Sequence, residues 1–160
     1  MKKVNKIAIF PGSFDPFTIG HHDIVMRGLQ LFDEIIIGIG HNYTKRDTFP
    51  LEERLAAIQR TFNNQSRVHV CAYDGLTIDF AAQHNAHFIL RGVRSTLDFE
   101  YERNMMQINN MLDSELMTVM LFTRTEYEAV SSSIVRELMA YGKDVAEFLP
   151  EGIDINKYRE

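Results

Sequence analysis

The sequence holds a single cysteine, Cys71, in 160 residues. An intramolecular disulfide is therefore excluded, and the composition fits a reducing compartment. Cys71 lies in the apolar run 68–72, so a buried, inert thiol is expected. No apolar stretch approaches the ~20 residues that a membrane span needs. The basic start, Met1 to Lys6, is followed by too short an apolar run for a secretory signal. A cytoplasmic protein with no membrane partner is expected. Positive charge is in deficit: 17 Lys and Arg against 22 Asp and Glu give a formal net charge of −5. A general nucleic-acid binder needs the opposite excess, so no nucleic-acid partner is expected. Two common phosphate fingerprints are also missing. There is no G-x-x-x-x-G-K-[ST], and Gly38-Ile-Gly40 lacks the third glycine of a dinucleotide turn and lies in the wrong βα unit. Those glycines read as strand-end packing residues. His41, His69, His84 and His87 lack Cys or carboxylate partners at metal-ligand spacing, so no protein-held metal is expected.

What is present is an ordinary globular balance, 45% hydrophobic and 24% charged, with no repeat, low-complexity tract or linker. Residues 1–160 read as one domain. Short β-rich runs alternate with longer helical ones. The strand candidates are 6–10, 34–40, 68–72, 87–90 and 117–122, several of them continuously apolar, as parallel strands covered on both faces are. Helical stripes lie between them: Ile24, Val25, Leu29 and Phe32; Leu51, Leu55, Ile58 and Phe62; Ile78, Ala81 and Ala82; Leu97 to Leu112; and Ile134 to Met139, closed by Gly142. Past Asp144 a short helix ending at Phe148-Leu149-Pro150 is expected, and a second over 153–158. This alternation predicts an α/β, doubly wound, Rossmann-like five-stranded parallel sheet with helices on both faces.

Ligands of such sheets bind beyond the carboxyl ends of the strands. The first of those loops, 10–21, carries Ser13, Thr18, Gly20 and His21 ahead of a helix whose unpaired N–H groups attract phosphate. His21 sits where the helix field disfavours an imidazolium and a bound polyphosphate favours one. It is a candidate donor to a phosphoryl oxygen, with a capping or solvated histidine as the plain alternative. His22 points elsewhere on the helix and reads as structural. Lys45-Arg46 is a basic pair in the second loop, either solvated or anion-binding. Arg91-Gly-Val-Arg94 follows the fourth strand and makes a plausible anion clamp, unless Asp98, Glu100 and Glu102 neutralise it. Ser131-Ser-Ser133 precedes the fifth helix; one serine would cap it, and three look like a second phosphate cradle.

Taken together, these residues resemble the bacterial phosphopantetheine adenylyltransferase family of the nucleotidyltransferase superfamily, which carries an (H/T)-x-G-H signature. The resemblance rests on residues 10–16, Thr18-Ile-Gly-His21, Leu51-Glu-Glu-Arg54, the block 91–102, Ser131–Ser133 and Phe148-Leu-Pro150. It implies adenylyl transfer from ATP to 4′-phosphopantetheine, giving dephospho-coenzyme A and pyrophosphate, with Mg²⁺. His21, Lys45 and Arg94 would be catalytic. Ser13, Lys45, Leu76, Thr77 and Arg91 would bind the acceptor. Ser13, Phe14, His21, Gly92, Val93, Arg94, Glu102, Tyr127, Glu128, Ala129, Val130, Ser131, Ser132 and Ser133 would bind ATP. A homohexamer with coenzyme A as a feedback ligand is implied as well. The chain departs from the family pattern at Ile19, at Asp47 where a proline often stands, at Pro50 where a capping threonine is common, and at Thr77, a position apolar in some members. Another nucleotidyltransferase, acting on nicotinate mononucleotide or a polyol phosphate, and a non-catalytic nucleotide-binding regulator are the competing readings.

Overall fold

A computed structural model describes residues 5–41 and 46–155. The elements run in the order β1 (Ile7–Gly12), α1 (Ile19–Gly28), β2 (Glu34–Gly40), α2 (Leu51–Thr61), β3 (Val68–Tyr73), α3 (Thr77–Gln83), β4 (Phe88–Val93), α4 (Thr96–Leu112), β5 (Met117–Phe122) and α5 (Ser132–Ala140). All the strand pairs are parallel, and the sheet order is β3-β2-β1-β4-β5. The expected α/β architecture is therefore the observed one.

Side chains of a strand alternate between faces, and the core divides accordingly. Ala8, Phe10, Ile35, Ile37 and Ile39 meet Ile24, Val25 and Leu29 of α1 and Ile58 of α2 on one face. Ile9, Ile36 and Ile89 meet Phe80 and Ala81 of α3 on the other. Coverage on both faces is complete for β1 and β2 but only partial for the edge strands β3 and β5. Cys71, on edge strand β3, is consequently half-buried, not buried as its apolar run implied. Burial still raises its thiol pKa, and its Sγ lies 3.8 Å from His84 Nε2. The inert reading stands.

Several boundaries differ from the apolar pattern, and β1 runs past Phe10 to Gly12. Helix α1 begins at Ile19, four residues ahead of the amphipathic run, because Thr18 caps it. It ends at Gly28, where a Cβ would lie 2.6 Å from Leu90 Cδ2 and 2.8 Å from Ile35 Cδ1. Strand β4 runs on through Arg91 to Val93, since the backbone ladder to Met120–Phe122 needs no apolar side chain. Arg91 is thus a strand residue and not the first residue of a loop.

Gly38 shows why the second strand ends in glycines. A Cβ there would sit 2.4 Å from Phe80 Cε1, and Phe80 is stacked on Tyr73 at 4.2 Å. Gly38→Ala is expected to destabilise the fold by about 1–3 kcal/mol through overpacking. Thermal unfolding checks it, and an unchanged Tm would show that Phe80 yields freely.

At the far end, Phe49, Val135, Val145, Leu149 and Ile155 form a third cluster that seats α5. The short helix expected before Pro150 is one 3-10 turn, Ala146–Phe148. The second, expected over 153–158, falls partly outside the described residues.

Candidate active site

The chain leaves β1 toward one side of the sheet and reaches β4, its other neighbour, only by its third crossover. This switch point between β1 and β4 is where a crevice forms. Two cavities open there. The first, about 310 Å³, is lined by Phe14, Thr18, Gly20, His21, Arg94 and Ser131–Ser133 among others. The second, about 670 Å³, is lined by Tyr73, Leu76, Thr77, Tyr101, Met105 and Asn109 among others. Pro11, Gly12, Ser13, Arg91 and Glu102 border both.

His21 occupies the third position of α1, in a capping box with Thr18. The Thr18 N–H donates to His21 Nδ1 at 3.0 Å, and the Thr18 hydroxyl lies 3.1 Å from the same nitrogen. A nitrogen that accepts an N–H carries no proton, so the ring proton is assigned to Nε2. Phe14 and Phe17 hold the ring at centroid distances of 5.1 Å and 5.4 Å. Burial, then Arg91, then Arg94, lower its pKa to about 3. The opposed influences read in the sequence thus resolve to a neutral Nε2–H donor in the ligand-free site.

That shift has a measurable consequence. The folded ring titrates near 3 and an unfolded histidine near 6.5, so between those values the unfolded chain binds more protons. The stability tied to the neutral ring is whole above the upper value and is lost as pH falls toward the lower one. In that window, stability is expected to fall more steeply with acid for the wild type than for His21→Ala. Chemical denaturation across the pH range tests this, and equal slopes would overturn it.

Both arginines of the expected clamp are engaged by carboxylates. Arg91 donates from Nε and Nη2 to Glu102 at 2.8 Å and 2.6 Å, and from Nη1 to the Pro11 carbonyl. Arg94 donates from Nε to Asp98 Oδ2 at 3.0 Å. Guanidinium has five N–H donors, so Arg91 keeps donors for an anion while Glu102 holds its orientation. The clamp and the neutralising pairs of the sequence analysis therefore coexist.

Only Ser131 precedes α5, whose first two residues are Ser132 and Ser133, and each of the three has its own bond. Ser131 caps the helix by accepting from the Ile134 N–H at 3.2 Å, Ser132 donates to the Pro16 carbonyl at 2.8 Å, and Ser133 accepts from Arg136 at 3.2 Å. The segment leading to them is tied to α1. Asp23 accepts from Arg27 at 3.1 Å and lies 3.3 Å from Arg124, while Arg27 also donates to the Phe122 carbonyl at 2.8 Å.

Other expected site residues are placed less uniformly. Leu76 and Thr77 line the second cavity, where Thr77 Oγ1 lies 3.2 Å from the Tyr73 hydroxyl. Gly92 and Val130 line the first. Val93 has its side chain in the core, and Glu128 and Ala129 are exposed and line neither cavity. Tyr127 sits beside Gly20, its Cβ 3.8 Å from where a Gly20 Cβ would be. Lys45 lies outside the described residues. His22 stacks on Phe62 at 5.3 Å, in keeping with a structural role. Among the described residues no cluster of three or more His, Cys, Asp or Glu could hold a metal ion.

Sequence reasoning missed the framework behind these groups. Arg54 is buried, and donates to the Ser13 carbonyl at 2.6 Å, the Phe49 carbonyl at 3.0 Å and Asp47 at 2.5 Å. Asp15 accepts from the Thr48 and Phe49 N–H groups at 2.8 Å and 2.9 Å. The Leu-Glu-Glu-Arg run was the available signal for Arg54, but its spacing carries no chemistry by itself.

The Cytidylyltransferase-like family model matches residues 9–138. A phosphopantetheine adenylyltransferase from Bacteroides thetaiotaomicron is 52% identical over 93% of this chain and 98% of its own length. One from Lachnoclostridium phytofermentans is 45% identical over 92% of this chain and 91% of its own length. Among solved structures, a bifunctional NMN adenylyltransferase/ADP ribose pyrophosphatase from Francisella tularensis, complexed with AMP and Mn ion, superposes with a TM-score of 0.67 at 16% identity. The match covers 91% of this chain but 44% of that one, so the chain spans less than half of that bifunctional protein and shares its fold. With half of its residues identical to such relatives over nearly the full length of both chains, the protein belongs to the phosphopantetheine adenylyltransferase family of nucleotidyltransferases.

Proposed function

We propose that the protein transfers the adenylyl group of ATP to 4′-phosphopantetheine, releasing pyrophosphate and dephospho-coenzyme A in coenzyme A synthesis. The observation that carries this reading is the pair of cavities meeting at Ser13 and Arg91. One is rimmed by His21, Arg94 and a serine row at a helix N-terminus, as a triphosphate requires. The other is larger and walled by Leu76, Tyr101, Met105 and Met106, which suits an extended acceptor arm with an anion at the shared wall. An acceptor phosphate oxygen attacks the α-phosphorus in line, the α–β bridging bond breaks, and pyrophosphate leaves with the bonding pair. The nucleophile is already an anion, so no base is needed. The work of the site is alignment and charge stabilisation. The His21 Nε2–H donates to the α-phosphoryl oxygen that gains charge, and Arg94 with the serine row orients the leaving group. Lys45 is assigned by the resemblance to the acceptor's phosphate and to catalysis.

Mg²⁺ fits this site as an ion carried by the nucleotide. Asp98 and Glu102, the carboxylates of the first cavity, are engaged by arginines, and Mg²⁺ takes its ligands readily from phosphate and water. When bound, it neutralises the leaving pyrophosphate. A homohexamer in the cytoplasm is the proposed setting. Its support is the exposed apolar surface of α4 and β5: Leu97, Ile108, Met111, Leu112 and Phe122. Coenzyme A, which carries the acceptor's own arm, would compete for the second cavity.

The test is an acceptor panel read by pyrophosphate release with ATP and Mg²⁺. Turnover is expected with phosphopantetheine and not with nicotinate mononucleotide or a polyol phosphate. The opposite preference would overturn the reading, and ATP binding without release from any acceptor would make the protein a non-catalytic binder.

A further inference from the structure

Arg54 lines neither cavity, yet it is nearly fully buried and makes three directed bonds. Burial of a guanidinium is costly unless its donors are used, so this placement demands a reason beyond packing. The key bond is Nη1 to the Ser13 carbonyl at 2.6 Å. The one cis peptide among the described residues is Asp15–Pro16, so the 13–14 peptide is trans. In a trans peptide the C=O and N–H point in opposite directions. With the Ser13 carbonyl drawn back toward Arg54, the Phe14 N–H is turned away from Arg54, and Ser13 and Phe14 both line the first cavity.

The conformation at Phe14 shows what this orientation demands. Its φ is +48°, in the left-handed region, which a bulky residue adopts only when its surroundings impose it. From one side, Phe10 and Phe17 fix its ring, and Gly12 leaves the ring space that a Cβ at 2.8 Å would deny. From the other, Arg54 fixes its preceding carbonyl. Arg54 is itself fixed by Asp47, and the 47–49 segment is stapled to the same turn by the Asp15 carboxylate.

We propose that Arg54, pinned by Asp47, is a positioning residue that holds the Ser13–Phe14 peptide so that the Phe14 N–H donates to a phosphoryl oxygen of the bound nucleotide. This rests on the adenylyl-transfer reading for its substrate, but not on the identity of the acceptor. The donor complements His21: a backbone N–H from the turn and an imidazole N–H from the helix converge on the same cavity, and neither titrates near neutral pH.

The test uses the full chain labelled with ¹⁵N-phenylalanine. In the wild type the Phe14 amide resonance is expected to move downfield on adding ATP with Mg²⁺. In Arg54→Gln that movement is lost and kcat falls about 100-fold, the cost of misplacing one group in such a site. Asp47→Ala, at a partly exposed position, is expected to weaken the amide response and lower kcat by less, with a lowered Tm because the buried Arg54 guanidinium loses its carboxylate partner. If Arg54→Gln does not fold, Asp47→Ala decides by the same two readings. A full-size Phe14 response with near wild-type kcat in the folded variants would overturn the proposal and leave Arg54 a stabilising residue only. Absence of turnover with phosphopantetheine in the wild type would instead sink the acceptor assignment, while the amide response would still report on Arg54.

Discussion

Replacing His21 by alanine is expected to lower kcat about 100- to 1,000-fold, equivalent to about 2.7–4 kcal/mol of barrier, while ATP still binds. The expectation follows from how the ring is held. Thr18 occupies Nδ1 from the backbone side, so the proton at Nε2 is the one available to a ligand. Three phenylalanines leave the ring little freedom, and a donor that need not reorient during reaction is worth most. On the proposed reading ATP is also held by Arg94 and the serine row, which line the same cavity, so affinity should survive. Steady-state pyrophosphate release measures kcat, and calorimetric titration measures ATP binding. A variant turning over at the wild-type rate would remove His21 from the mechanism. A variant that loses ATP binding and turnover in proportion would make it a ground-state contact.

Replacing Arg91 by alanine is expected to act twice. It strands the Glu102 carboxylate, which is only 8% exposed, and breaking such a pair costs about 3–5 kcal/mol when fully buried. Arg91 keeps a quarter of its side-chain surface in solvent, so the lower end applies. It also removes the one Arg or Lys among the described residues that line the second cavity. On the proposed assignment ATP would retain Arg94 and the serines, so KM for phosphopantetheine should rise more than KM for ATP. The double variant Arg91→Ala/Glu102→Gln separates the two effects: Tm should recover and the acceptor KM should not. An acceptor KM restored together with Tm would mean that Arg91 serves only the fold. Equal rises in both KM values would argue against the assignment of Arg91 to the acceptor.

The sheet was legible because buried parallel strands leave an unmistakable mark, runs such as Ile35 to Ile37 that no solvated segment tolerates. Its edges were less so. Neither Cys71 nor Met117 announces that its strand has only one neighbour, because exposure there depends on strand order, which local pattern does not encode. The candidate site was legible where chemistry-bearing residues sat together in sequence at the start of a helix: His21 beside Gly20, and the three serines. It was illegible where the partner is remote. Arg54 lies 41 positions from the carbonyl it holds, and Asp15 lies 34 from the Phe49 N–H it accepts. Bonds between loops of different βα units follow from the fold and from no spacing rule. The arginines illustrate a third case. Arg91 and Arg94 have nearby carboxylates in sequence, yet only geometry shows pairing and access to a ligand together.

The wall shared by the two cavities has a kinetic meaning. On the proposed reaction, each substrate enters with one anchor, whereas the product is one molecule that lies across Ser13 and Arg91 with a foot in each cavity. Its two halves rebind each other's sites at high effective concentration, so both must let go before either is free. Departure of the joined product, and not the making of its new bond, is then the natural brake on turnover.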